Sequence, residues 1–445
     1  MRRLATITLT FAFALTANAD DATRAAQLAD FAIVREDYLP KELAYTPATR
    51  ALALTKVREL EARAGTLSAA DMLVGLAQIG ALTDNAHSGV RYHDPLALPA
   101  ARLPLRLLWL PDALIVARAT GEAADLAGAR VLAIEGLAPD ALYARTQSLQ
   151  GGSEINRKKY LPGLIESLGV LHAMGVAKAP DRVTLKVRLV SGKVVERVIK
   201  MVANDAVPPT AEDERLWSPE PIAGEAQWKT AITADSLPTY LADAAAPFRT
   251  VPMPDIDALY IQFRTNEDDG AHKITDFTAG VDAEIAASKP TNLILDLRFD
   301  IGGNLLTTLA FMRALPAKVT GQTYLLVGHY TYSAGIVSAA AVKKGGGERV
   351  TVVGDALGDR LAFWSEGGRV SLPNSHFGLR YTNGTFDLER GCAEIPQCLD
   401  KLIDVNFVSL APQIAAPLTS AAYFAKRDPA LEAVRAEVVR MRAQR

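Results

Sequence analysis

NLILDLRFDIGGN (292–304), LLTTLAFMRALP (305–316) and QTYLLVGHYTYSAGIVSAAA (322–341) read in succession as strand, glycine turn, helix, strand, sharp turn and helix. The apolar run 292–297 ends at Asp296-Leu297-Arg298 and breaks at Gly302-Gly303. A second apolar run, 323–327, leads into Thr331-Tyr332-Ser333-Ala334-Gly335 at the start of the next helix. A serine in such a strand-to-helix turn exposes its hydroxyl at a helix N-terminus, where backbone N–H groups can hold a developing anion. Paired glycines let a second backbone segment approach with no Cβ in the way. The stretch therefore predicts a nucleophile at Ser333 and an oxyanion hole shared between two turns. Serine is also a favoured helix N-cap, which is the purely structural role for the same residue.

Outward from this stretch the alternation continues. ALYIQF (258–263) predicts a strand, and Ile274, Phe277, Val281 and Ile285 make a helical stripe that stops at Lys289-Pro290. RVTVVG (349–354) is another buried-type strand, and DPALEAVRAEVVRMRAQR (428–445) a helix entered through Pro429. Strands separated by amphipathic helices imply an α/β unit with a largely parallel sheet over 256–445. Upstream, 204–255 is a Pro-, Ala- and Asp-rich connector. LRLLWL (105–110) and ALIVARA (113–119) predict a hairpin around Pro111-Asp112, and VTLKVRLV and KVVERVI a second one around Ser191-Gly192. With a helical insertion over 160–174 between them, 101–203 reads as a β-domain. Residues 20–100 read as a helical region: Ser68 and Asp71 form a capping box for one helix, and ALTDNAHSGVRYHD (81–94) ends the region with two histidines.

Across 445 residues, 49% are apolar and 22% charged with a formal net charge of −2, so no basic face for nucleic acid is expected. No run reaches the roughly 18 apolar residues needed to span a bilayer. Residues 1–19 have the three parts of a secretory signal: Arg2-Arg3, the apolar 4–15, and Ala17-Asn18-Ala19. Export, to the periplasm in a cell with two membranes, is the expectation. In that compartment the two cysteines, Cys392 and Cys398 in GCAEIPQC, predict a local disulfide. No H-E-x-x-H occurs and His87 with His93 lacks a third ligand, so neither metal nor cofactor is expected.

NLILDLRFDIGGN followed by YTYSAG resembles the core of the tail-specific (C-terminal-processing) serine peptidases, whose pattern is Asp-Leu-Arg-x-Asn-x-Gly-Gly and then Thr-x-Ser-Ala. TDNAHSG (83–89), LPNS (372–375) and RDPALEAV (427–434) resemble further phrases of that family, in its tricorn-core-like Ser/His branch more than its Ser–Lys branch. The resemblance implies a ClpP/crotonase-like βαβ core, and DLAGARVLAIEG (125–136) resembles part of a PDZ domain inserted into it. It implies Ser333 as nucleophile and an oxyanion hole of Ala334 with Gly302 or Gly303. His87 matches the histidine of the Ser/His branch, and imidazole suits the role because it titrates near neutrality. His329 and His376 remain competitors for it.

For the orienting acid the resemblance favours Glu389 in YTNGTFDLERG, with Asp387 two residues away and a solvated pair with Arg390 as the structural alternative. The position of the Ser–Lys branch's lysine is Asp359, and a carboxylate there cannot act as a desolvated amine. Three departures bear on activity: Asp300 for the family's Asn, Ala86 before the histidine, and Asp359. The function implied is an exported serine peptidase acting on peptides or unfolded protein ends through an acyl-enzyme. The alternative is a non-catalytic peptide or apolar-ligand carrier on the same fold. Oligomeric state is left open.

Overall fold

The computed structural model describes residues 21–91, 101–203, 214–222, 227–405 and 408–444; the signal-like segment and His93 lie outside them. The centre is a sheet of six strands in the order Phe248–Met253, Ala258–Phe263, Asn292–Asp296, Thr323–Val327, Val350–Gly354, Ile414–Ala415. The first pair is antiparallel and the other neighbours are parallel. Alternation along the strands serves two cores. Leu293, Leu295, Leu325 and Val327 pack with Val281, Ile285, Met312, Ile336 and Val337 from the connecting helices. Ile294, Tyr324 and Leu326 face the other way, onto Leu431, Val434 and Val438 of the C-terminal helix Pro429–Ala443. Covering both faces is why these strands read as unbroken apolar runs.

Parallel register puts the carboxyl ends of Asn292–Asp296 and Thr323–Val327 side by side. The glycine turn and the serine turn therefore emerge at the same edge, where open α/β sheets carry their ligands. Asp296 closes the first of these strands from within the core. It is fully buried, accepts from Arg298 Nε at 3.0 Å and Nη2 at 2.6 Å, and from the Tyr260 hydroxyl. Arg298 reaches on to Asp428, at 2.7 and 2.9 Å, and Asp428 caps the C-terminal helix through the Leu431 N–H. Burial pushes the Asp296 pKa up, but the Arg298 charge and the bonds from Arg298 and Tyr260 outweigh it and hold the carboxyl below its ordinary value.

Both expected hairpins form. Leu105–Leu110 pairs with Ala113–Ala119 and Arg182–Arg188 with Val194–Lys200, and Arg130–Ile134 joins the two into one antiparallel sheet. The helical insertion differs from the sequence reading. It starts earlier, at Glu154, and is two helices, Glu154–Ile165 and Leu168–Ala173. The break falls where Glu166 turns inward: it is 1% exposed, accepts from Arg102 Nη2 at 3.1 Å and from the Leu107 N–H at 2.8 Å. A buried carboxylate that ties the insertion to the sheet overrides helical periodicity.

The N-terminal region carries the helices Pro47–Ala62 and Ala69–Ala81, and Ser68 with Asp71 forms the expected reciprocal capping box for the second. After them, Gly89–Arg91 adds as a third strand to the hairpin Gly368–Ser371/Gly378–Tyr381. Gly80 and Gly89 make this possible, because a Cβ on Gly80 would lie 2.3 Å from the Gly89 Cα. This pairing carries the His87 loop to the core.

Arg298→Met leaves Asp296 buried without its counter-charge, so the free energy of unfolding at neutral pH should fall by about 3–5 kcal/mol in urea titrations. Because Asp296 is depressed in the folded state, its contribution in the wild type is present above the unfolded value of about 4 and lost as pH falls further.

Candidate active site

Ser333 lies at the junction of strand and helix with φ 54° and ψ −123°, a combination non-glycine residues rarely adopt. Its surroundings enforce it. The Tyr332 N–H donates to the Asp300 carbonyl at 2.9 Å, and the Gly335 N–H closes back on the Tyr332 carbonyl at 2.8 Å. Thr331, fully buried, donates to the Leu297 carbonyl at 2.7 Å and accepts the Gly328 N–H at 3.0 Å. Ser333 sits at the N-cap position of Ala334–Gly346, yet its side chain makes no capping bond. The hydroxyl instead lies 2.9 Å from His87 Nε2.

His87 is 2% exposed and stacks with two aromatic rings. Tyr332 stacks on it at 4.6 Å between centroids and Phe363 at 5.5 Å, both within 17° of parallel. Phe363 comes from the strand Ala362–Ser365, paired with Gly384–Asp387. Behind the ring the loop rests on a buried acid. Glu42 is fully buried and accepts the Thr382 hydroxyl at 2.6 Å, the Thr382 N–H at 3.2 Å and the Ala44 N–H at 2.9 Å. Thr382 Oγ1 lies 3.4 Å from Ser88 Oγ, and the Asn85 amide donates to Ser88 at 2.8 Å. Burial pushes the Glu42 pKa up, and the bonds from Thr382, Ala44 and Ser88 offset part of that rise. Ala86 is fully buried under Gly152, whose Cβ would come within 2.8 Å of the Ala86 methyl.

The other expected residues fall as follows. The glycine turn lies against the serine: Gly302 has φ 97°, and a Cβ on it would be 2.7 Å from Ser333 Cβ and 2.9 Å from Ala334 N. The Gly302 N–H donates to Asp300 Oδ1 at 3.0 Å and is engaged within its own turn. The Ala334 N–H belongs to the first helical turn and has no intrahelical acceptor. The charge of Asp300 does not project into the cleft. Its side chain is fully buried and turned to the Asn266 amide, at 2.7 and 2.8 Å.

Glu389 is not brought to His87. It is exposed in the turn after Gly384–Asp387, its N–H on Asp387 Oδ1 at 3.2 Å, while Arg390 pairs with Asp387. Its two-residue offset from Asp387 held only as long as the strand did, and the strand ends at Asp387. Sequence reasoning missed Glu42, a single acid in no recognisable pattern, and Asn266.

His329 pairs with Asp355 at 3.2 Å and His376 is exposed in a turn; neither bonds to Ser333. Lys343 donates to the Val350 carbonyl at 2.7 Å near the far end of the serine's helix, roughly 15 Å along its axis. Asp359 is buried, its pKa raised by that burial, and accepts the Ser153 N–H at 3.3 Å. Cys392 and Cys398 form the expected disulfide.

Ser333 and His87 open onto a cleft of about 1070 Å³ that also includes Lys159, Ile301, Gly303 and Arg369 in its walls. No helix among the described residues is long and apolar enough to cross a membrane.

No family model matches the sequence, and no curated protein does. Solved structures do match. The chain resembles mature CPAF complexed with lactacystin at 13% identity and TM-score 0.52, over 91% of this chain and 93% of that one. It resembles a serine-to-alanine mutant of CPAF at 13% identity and TM-score 0.53, over 91% and 95%. The photosystem II D1 C-terminal processing protease matches more loosely, at 13% identity and TM-score 0.39 over 93% and 96%. At such identities the likeness is one of fold, and it extends over nearly the whole chain.

If ring stacking holds His87 in place, Phe363→Ala should lower kcat about tenfold or more on any hydrolysed peptide. Glu389→Gln, altering only an exposed turn, should stay within about twofold of wild type by the same assay.

Proposed function

We propose that this protein is an exported serine peptidase that hydrolyses peptides or unfolded protein ends through an acyl-enzyme on Ser333. The observation that carries the reading is the 2.9 Å contact between Ser333 Oγ and His87 Nε2, in a buried imidazole beside two turns rich in backbone N–H donors. An unstrained helix cap needs neither the φ of 54° nor a histidine partner.

In this reading His87 takes the Ser333 proton as Oγ bonds to the scissile carbonyl carbon. The oxyanion is held by the N–H groups of Ala334 and Gly303. The C–N bond then breaks, His87 returns the proton to the departing amine, and water, deprotonated by the same ring, releases the acyl group. Tyr332 and Phe363 hold the ring in plane, and the Glu42–Thr382–Ser88 network holds its loop. The motifs that resemble the tail-specific peptidases support a peptide as the acyl donor. The cleft, walled by cationic, acidic and apolar side chains, is large enough for several residues of an extended chain. A disulfide at Cys392–Cys398 supports export to an oxidising compartment.

Hydrolysis of an unfolded protein or a quenched peptide by wild type, Ser333→Ala and His87→Ala tests the proposal. Each variant should lose roughly 10³-fold or more in kcat with little change in KM. Equal turnover by wild type and Ser333→Ala would remove the nucleophile, and saturable binding of an apolar ligand without any turnover would point to the carrier alternative.

A further inference from the structure

Asn266 lies just beyond the strand Ala258–Phe263 and is fully buried, yet nothing in its local sequence marks it. Every polar group it carries is used. Its N–H donates to the Gly302 carbonyl at 2.8 Å, and its carbonyl accepts the Thr307 hydroxyl at 2.9 Å. Its side-chain oxygen accepts from Thr308 Oγ1 at 2.6 Å and Ser338 Oγ at 2.8 Å. Its side-chain nitrogen donates to both oxygens of Asp300, at 2.7 and 2.8 Å. Thr308 is on the helix that follows the glycine turn and Ser338 on the helix that follows Ser333. One amide thus ties together both helices and the glycine turn that precedes the first of them.

Asp300 completes the link. Its carboxylate takes up the Gly302 N–H at 3.0 Å, and its carbonyl takes up the Tyr332 N–H at 2.9 Å, one residue before the serine. The Gly335 α-carbon packs against that same carbonyl so closely that a Cβ would lie 2.5 Å from it. The turn bearing Gly303 and the turn bearing Ala334 are both registered on Asp300, and Asn266 fixes the Asp300 side chain. We infer that Asn266 is a positioning residue that, through Asp300, sets the spacing of the two N–H donors proposed to hold the oxyanion. The inference rests on the peptidase reading and names the part of the site that gives it rate.

The pair has a defined polarity: an amide that donates at position 266 and a carboxylate that accepts at position 300. Asn266→Asp alone sets two carboxylates face to face in a buried site, which drives them apart. The reversed pair, Asn266→Asp with Asp300→Asn, keeps one amide and one carboxylate, with one hydrogen bond between the side chains in place of two. Aspartate at 266 accepts from Thr308, Ser338 and the new amide at 300, whose oxygen still accepts the Gly302 N–H.

Steady-state kinetics and thermal melting of wild type, N266D, D300N and the N266D/D300N double variant form the test. N266D should lose roughly 100-fold in kcat, the scale of a lost oxyanion donor, with KM held within about twofold. The double variant should recover to within about tenfold of wild type, a coupling only interacting sites show. A structural role alone predicts that activity follows the folded fraction, so a kcat loss in a variant that still melts like wild type separates the two. Should N266D fail to fold, the double variant decides, since it carries no facing like charges. An active wild type whose double variant is no better than N266D, or whose folded N266D keeps full kcat, overturns the inference alone. A wild type that hydrolyses no peptide removes the peptidase reading and this inference with it.

Discussion

The hydroxyl of Ser333 and the ring of His87 stand 2.9 Å apart although 246 positions separate them in the chain. No local interaction can hold such a pair, so the fold must deliver each partner rigidly from its own side. On the serine's side, parallel strands end together and a backbone of positive φ lifts the side chain out of the helix it precedes. From the histidine's side, a three-residue strand, Gly89–Arg91, pairs the N-terminal region onto the hairpin Gly368–Ser371/Gly378–Tyr381. Ring stacking by Tyr332 and Phe363 then constrains the plane of the imidazole.

Buried charge is used in the same way throughout, as a joint between elements that share no long contact. Asp296, Arg298 and Asp428 join the central strand to the C-terminal helix, Glu166 with Arg102 joins the helical insertion to the β-sheet, and Glu42 joins the N-terminal region to Thr382. Each carboxylate receives more than one donor, the condition under which a buried charge orients its neighbours instead of destabilising them. Asp300 with Asn266 belongs to this set, and the Asp300 carbonyl takes up the N–H of Tyr332, the residue before Ser333. Read in isolation, a carboxylate beside an oxyanion hole works against anion binding. With both oxygens turned to Asn266 and one N–H taken from the turn, it becomes part of the scaffold.

What could be read from the sequence was local. Apolar runs broken by glycine located the strands and both turns, which marked Ser333 and the glycine pair, while Ala334 was named only through the family resemblance. The Ser68–Asp71 capping box and the Cys392–Cys398 loop were equally short-range. The choice among His87, His329 and His376 needed a motif resemblance, because distance across the fold leaves no periodic trace. Glu389 shows the limit of projecting a side chain along a strand: the strand stops two residues earlier and the acid faces solvent. Glu42 and Asn266 were invisible for another reason. Each is a lone polar residue whose partners lie far away, Thr382 for one and Asp300, Thr308 and Ser338 for the other.

The fold's likeness to CPAF, at TM-scores of 0.52 and 0.53, says that this arrangement of sheet and helices occurs elsewhere, while the claim of reactivity rests on Ser333 itself. The most direct measurement is mass-spectrometric location of the adduct formed when the folded protein is treated with a fluorophosphonate. The account predicts a single modified residue, Ser333, with modification lost on unfolding and slowed strongly when His87 is replaced. A folded protein that takes up no label at Ser333, or takes it up at the same rate without His87, would contradict it.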